Sequence, residues 1–112
     1  MVNATYVGAR LNDFMIITNA ILTAYCACAI CCGKHAKQGL TASGNKPTQG
    51  ITIAASRSIP LGSKVTLSNG HTYIVQDRLA KRFDSRFDIY FTSHKAALEF
   101  GKKKGETVIV VN

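Results

Sequence analysis

Beyond Cys32 the chain contains no cysteine, and all four of its cysteines, Cys26, Cys28, Cys31 and Cys32, crowd into one short stretch. Disulfides joining distant segments are thereby excluded. Three local states remain open: bridges within the cluster, buried thiols, or a metal knot in which His35 stands near Cys32. The paired knuckles usual for zinc are absent, so no metal or cofactor is expected, and the four cysteines are the only weak candidates. Acidic residues are also scarce, six against fourteen Lys and Arg, which leaves a net charge of +8. That balance favours anionic partners without choosing among nucleic acid, acidic glycan and membrane surface. No long basic helix carries the charge, and the aromatics sit at strand-like positions rather than interleaved with exposed cations. Nucleic-acid binding is therefore not expected. Low-complexity tracts are missing too, and 46% of residues are hydrophobic, which excludes wholesale disorder. At 112 residues the chain is one domain able to bury a real core.

Charge is absent from Phe14 to Cys32, a length that would suit a membrane span. Yet the run holds Thr18, Asn19, Thr23 and Tyr25. Met1–Asp13 offers only Arg10 as a basic leader, and Tyr25 before Cys26 does not suit a lipid-attachment box. A core β-segment is the expectation, with no stable membrane span and no evident signal in this chain.

Residues 1–13 read as an appendage or a first short element, and 14–112 as a single domain. Phe14–Thr18 and Ile21–Tyr25 read as apolar strands, and Lys34–Gln49 as a loop. Ile51–Ala55 reads as a strand, and Ser58–Gly62 as a turn with Pro60 fixing φ. Lys64–Leu67 alternates as a half-buried strand does, Ser68-Asn-Gly70 signals a hairpin, and His71–Gln76 returns. Strand Arg86–Phe91 follows. A helix Lys95–Phe100, capped by Thr92 or Ser93 and ended by Gly101, leads to a last strand, Thr107–Val111. His71 and His94 show no partner pattern and read as surface residues. About six short strands with one or two short helices predict a mostly β fold, a small closed barrel.

Three of the six acidic residues, Asp77, Asp84 and Asp88, fall between Tyr73 and Phe91. Asp88 lies among Phe87, Ile89 and Phe91. If that strand packs, its carboxyl is partly desolvated and its pKa rises, and a second carboxylate at Asp77 pushes the same way. Glycan-cleaving enzymes obtain a neutral acid by such means. The plainer alternative is two surface aspartates at strand ends, paired with Arg78, Lys81, Arg82 or Arg86.

Taken in order, Thr23-Ala-Tyr25, Thr41-Ala-Ser-Gly44, Ile59-Pro-Leu-Gly62, Asp77, Phe87-Asp88-Ile-Tyr90 and the Ala96–Gly101 helix before a valine-rich strand resemble the 3D (three-aspartate) domain. The resemblance spans roughly residues 22–111. It implies a six-stranded double-psi β-barrel similar to the catalytic barrel of the membrane-bound lytic transglycosylase A family. It also implies a lytic transglycosylase acting on peptidoglycan glycan strands. The family's middle aspartate falls on Asp77 and its last, the proton donor, on Asp88. The first falls on Ala55, and the family's glycine-rich loop is replaced by Arg78–Asp84. Asp88 and Asp77 are thus the expected catalytic pair, and Tyr25, Thr41, Ser43, Gly44, Ser56 and Arg78 the expected substrate-binding residues. A monomer is expected, extracellular or wall-associated, whether secreted or phage-borne. The alternative is a non-catalytic cell-wall glycan-binding module on the same barrel.

Overall fold

The computed structural model describes residues 6–9, 14–26, 41–79 and 86–111, with residues 6–9 described by their backbone pairing alone. The chain forms strands β1 (Tyr6–Ala9), β2 (Phe14–Tyr25), β3 (Thr52–Ala55), β4 (Lys64–Thr66), β5 (Thr72–Arg78) and β6 (Arg86–Tyr90). Helix α1 (His94–Phe100) and strand β7 (Lys103–Val111) follow. The strands lie in the order β1-β2-β6-β3-β5-β4-β7, and β2 pairs with β7 as well. Six strands therefore close on themselves into a mixed barrel, as the mostly β reading expected, and one helix accompanies them among the described residues. Closure leaves the ring without open edges, while β1 lies outside it against the first half of β2. The β2–β6 and β3–β5 pairs are parallel and the other pairs in the ring antiparallel. No helix among the described residues is long and apolar enough to cross a membrane.

The uncharged run becomes one continuous strand of twelve residues rather than the two short ones expected. The expected break proves to be a bulge. Between Ile17 and Ala20 β2 advances three places while β7 advances two, and between Ala20 and Leu22 the imbalance is reversed. The first extra residue is accommodated at Asn19, with φ of 56°, and the second at Gly105, with φ of 68°. The two bulges compensate, so the ladder resumes in phase. They also shift which residues face inward: Ile17, Ala20 and Leu22 are buried, a step of three and then of two. Asn is among the few residues that tolerate a left-handed backbone. Asn19→Val should therefore lower the unfolding free energy by about 1–2 kcal/mol, whereas Asn19→Gly should stay within a few tenths of wild type. Urea midpoints measure both, and an Asn19→Val midpoint equal to that of Asn19→Gly would show that this bulge carries no strain.

The barrel interior is filled by β-branched and aromatic side chains, among them Ile17, Ile53, Val65, Val75, Phe87, Val108 and Val110, all 0% exposed. Each contributes about 1.5–3 kcal/mol of burial. Strand β7 runs longer than its valine-rich end suggested, because Lys103–Glu106 extend the ladder through backbone pairing while remaining largely solvent-facing. The hairpin at Ser68-Asn-Gly70 forms as read, closed by Leu67 N–H donating to the His71 carbonyl at 2.9 Å, with Gly70 at φ 89°. Helix α1 begins one residue earlier than expected, capped by Ser93, whose Oγ accepts the Ala96 N–H at 3.0 Å, and it ends at Gly101. Ala55 is 0% exposed and belongs to the apolar core, so the position matched to the family's first aspartate faces the barrel interior.

Candidate functional site

On the outer face of the barrel the ladder builds a row across four strands. Thr23 of β2 pairs with Asp88 of β6, Asp88 pairs with Ala54 of β3, and Ala54 pairs with Asp77 of β5. Paired residues share a face, so the two aspartates flank one small side chain. Alternation on β6 does half of this: Phe87 and Ile89 point inward, leaving Asp88 and Tyr90 on the other face. A bulge does the other half. The β3–β5 register passes from Ile53↔Val75 to Ala54↔Asp77, so Gln76 is an extra residue. Without it Gln76 would face Ala54 and Asp77 would turn toward the core.

Each carboxylate is held by named donors. The Thr23 hydroxyl donates to Asp88 Oδ1 at 2.9 Å. Burial pushes the Asp88 carboxyl above the usual carboxylate range; the Thr23 hydrogen bond and the Arg86 charge pull it back, and the Asp77 charge adds to the rise. Asp77 accepts three donors: the Tyr25 hydroxyl at 3.2 Å on Oδ2, and the Ala42 and Arg78 N–H groups at 3.1 and 2.9 Å on Oδ1. Tyr25 stands edge-on to Tyr90, with centroids 5.5 Å apart, and the two close over Ala54 and Leu79.

Sequence reasoning named eight site residues, and the structure gathers some of them. Tyr25, Asp77 and Asp88 meet on the outer face. The loop bearing Thr41, Ser43 and Gly44 docks beside them, through Ser43 N–H donating to the Gln76 carbonyl at 3.0 Å and Ala42 N–H to Asp77. Within it, Thr41 Oγ1 lies 2.8 Å from Ser43 Oγ, and Ser43 Oγ donates to Asn45 Oδ1 at 3.0 Å. Ser43 and Gly44 are exposed, Gly44 with φ of 88°. Ser56 is placed differently: it is 0% exposed, with its hydroxyl 2.7 Å from that of Ser58. Arg78 extends its guanidinium to the Ile59 and Ser56 carbonyls at 3.2 and 3.4 Å, tying the end of β3 to the following turn.

Thr23, the backbone of Ala42, and the spacer Ala54 were missed as site elements. The Thr23-Ala-Tyr25 alternation was the available signal for the first, since residues two apart in a strand share a face. Both histidines read as surface residues have neighbours. His71 Nε2 lies 2.8 Å from the Gly50 carbonyl, and its ring stands edge-on to Tyr73. His94 Nδ1 lies 3.5 Å from Sγ of the buried Cys26. Cys28, Cys31, Cys32 and Asp84 lie outside the described residues, and among the described residues no group of three or more His, Cys, Asp or Glu is placed to hold a metal ion. No protein-family model matches the chain, and no curated protein matches it either.

Proposed function

We propose that this barrel is of the double-psi, three-aspartate kind and cleaves peptidoglycan glycan strands by lytic transglycosylation, with Asp88 as its single acid/base. The observation that supports this most directly is the Asp88–Ala54–Asp77 row, in which a part-buried carboxyl with a raised pKa has a second carboxylate two strands away. In the proposed reaction protonated Asp88 gives its proton to the glycosidic oxygen as the bond to the anomeric carbon breaks. The sugar's own 6-hydroxyl attacks that carbon, and its proton passes to the Asp88 carboxylate, which restores the acid. No water is consumed, so the second carboxylate need not be spaced to hold one. Asp77 favours the protonated form of Asp88, and its three donors fix where that charge stands.

A second reading, the non-catalytic glycan-binding barrel, is favoured by one observation: the place of the family's first aspartate is occupied by Ala55, turned into the core. Mass spectrometry of sacculi incubated with the protein separates the readings. Anhydro-muropeptides support transglycosylation, new reducing ends indicate hydrolysis, and intact glycan indicates binding alone. Under either reading the site would work outside the cell or in the wall, without cofactor and as a monomer. The +8 charge gives a further expectation, that pull-down by purified sacculi weakens as salt is raised from about 0.05 to 0.5 M, because exposed cations are screened. Equal binding at both salts would remove electrostatics from wall attachment.

A further inference from the structure

Thr23 stands beside Asp88 in the parallel β2–β6 ladder, and its single hydroxyl proton has two acceptors in reach. One is Asp88 Oδ1 at 2.9 Å and the other the Phe87 carbonyl at 3.5 Å. The shorter contact to a carboxyl oxygen is the stronger one. We propose that Thr23 is the positioning residue of the acid/base: by donating to Oδ1 it leaves Oδ2 of Asp88 as the oxygen that carries and receives the transferable proton. The inference rests on the acid/base reading of Asp88 given above and adds to it the residue that assigns the two oxygens their roles.

The chemistry follows from what one hydroxyl can do. While Asp88 is ionised, Thr23 stabilises the charge on Oδ1. Once Asp88 is protonated, Oδ1 remains occupied as an acceptor, so the proton resides on Oδ2. Proton delivery to the leaving oxygen and proton capture from the attacking hydroxyl then use the same atom, without rotation of the carboxyl group between the two half-steps. Among the described residues, the other charged or titratable groups around Asp88 are Arg86 on its own strand, Asp77 on β5, and the Tyr25 phenol on β2, which is bonded to Asp77. Strand β3 brings only Ala54. Thr23 is the neutral donor that opposes burial at this position.

The test is an NMR titration of the Asp88 side-chain carboxyl carbon, assigned with Asp88→Asn, in wild type, Thr23→Val, Thr23→Ala and Thr23→Ser. Thr23→Val keeps the branched shape a strand prefers, and Thr23→Ala removes the hydroxyl without adding bulk. Both should move the Asp88 midpoint upward, because the donor that favours the charged form is gone. Thr23→Ser keeps the hydroxyl and should titrate as wild type does. In muropeptide release the alkaline limb should move upward with the midpoint, and turnover should fall roughly tenfold in the Val and Ala variants, with the Ser variant restoring it. An Asp88 midpoint unchanged in both Val and Ala variants would overturn the proposal, as would a Ser variant shifted as far as they are. If wild type releases no muropeptides while Val and Ala still shift Asp88, the hydrogen bond from Thr23 to Asp88 stands, but the acid/base reading falls and the positioning role falls with it.

Discussion

Asp88→Asn is expected to reduce muropeptide release by about 10³-fold or more while leaving the barrel folded and able to bind sacculi. The amide matches the carboxyl in shape, and its Oδ1 still accepts the Thr23 hydroxyl, but it neither delivers nor takes a proton. The same substitution should raise stability at neutral pH. Burial holds the folded-state pKa of Asp88 above its unfolded value. The folded state therefore binds more protons than the unfolded one across the window between the two, and stability falls as pH rises through it. From the ordinary carboxylate range upward, the raised pKa of this part-buried carboxyl is thus a cost that Asn removes. Below the ordinary carboxylate range the advantage of Asn should vanish. Thermal melts at pH 7 and pH 3 measure this, and a variant no more stable than wild type at pH 7 would mean that Asp88 is as well solvated folded as unfolded. Asp77→Asn should act in a smaller and different way. Removing the charge that raises Asp88 lowers the pKa of the acid, so the alkaline limb of activity should move down in pH.

That a stability cost sits at Asp88 is what local sequence could announce: a charged residue inside Phe87–Phe91 breaks an otherwise apolar strand, and such a conflict marks a functional position. The strands themselves were legible for the same reason. β4 alternates polar with apolar residues, Asn69-Gly70 turns the hairpin, and Ser93 and Gly101 punctuate the helix. The register was not legible. Asn19 read as a break because a residue suited to turns interrupts a β-branched run, and only pairing with β7 shows the strand continuing through it. Likewise nothing in Val75-Gln-Asp77 distinguishes a regular strand from one with Gln76 bulged out, yet that choice decides whether Asp77 faces Ala54 or the core. Closure was legible only as a count of short strands, since it depends on β2 pairing with both β6 and β7, partners more than sixty residues away in sequence. Ser56 was singled out beside Ala55, the position matched to the first aspartate, and such a match carries no information on burial; its hydroxyl faces Ser58 instead.

The largest stability effect is expected at Phe87→Ala. Phe87 heads the fully buried side chains by volume, and it precedes Asp88 on a strand bonded on both sides, to β2 and to β3. Truncation removes the apolar transfer energy and leaves a cavity that a closed barrel cannot collapse to fill, for a loss of about 3–5 kcal/mol. Against the ~5–15 kcal/mol that holds a small domain folded, this is a large share of the whole. The effect should reach the site. A cavity beneath β6 loosens the packing that desolvates Asp88, so in the fraction still folded the carboxyl pKa should move down toward its ordinary range, and the alkaline limb of activity with it. Urea unfolding at low temperature gives the first quantity and carboxyl-carbon titration the second. A destabilised Phe87→Ala whose Asp88 titrates as in wild type would show that the desolvation comes from the outer-face neighbours, Ala54 and the tyrosine pair, and not from the core on which β6 rests.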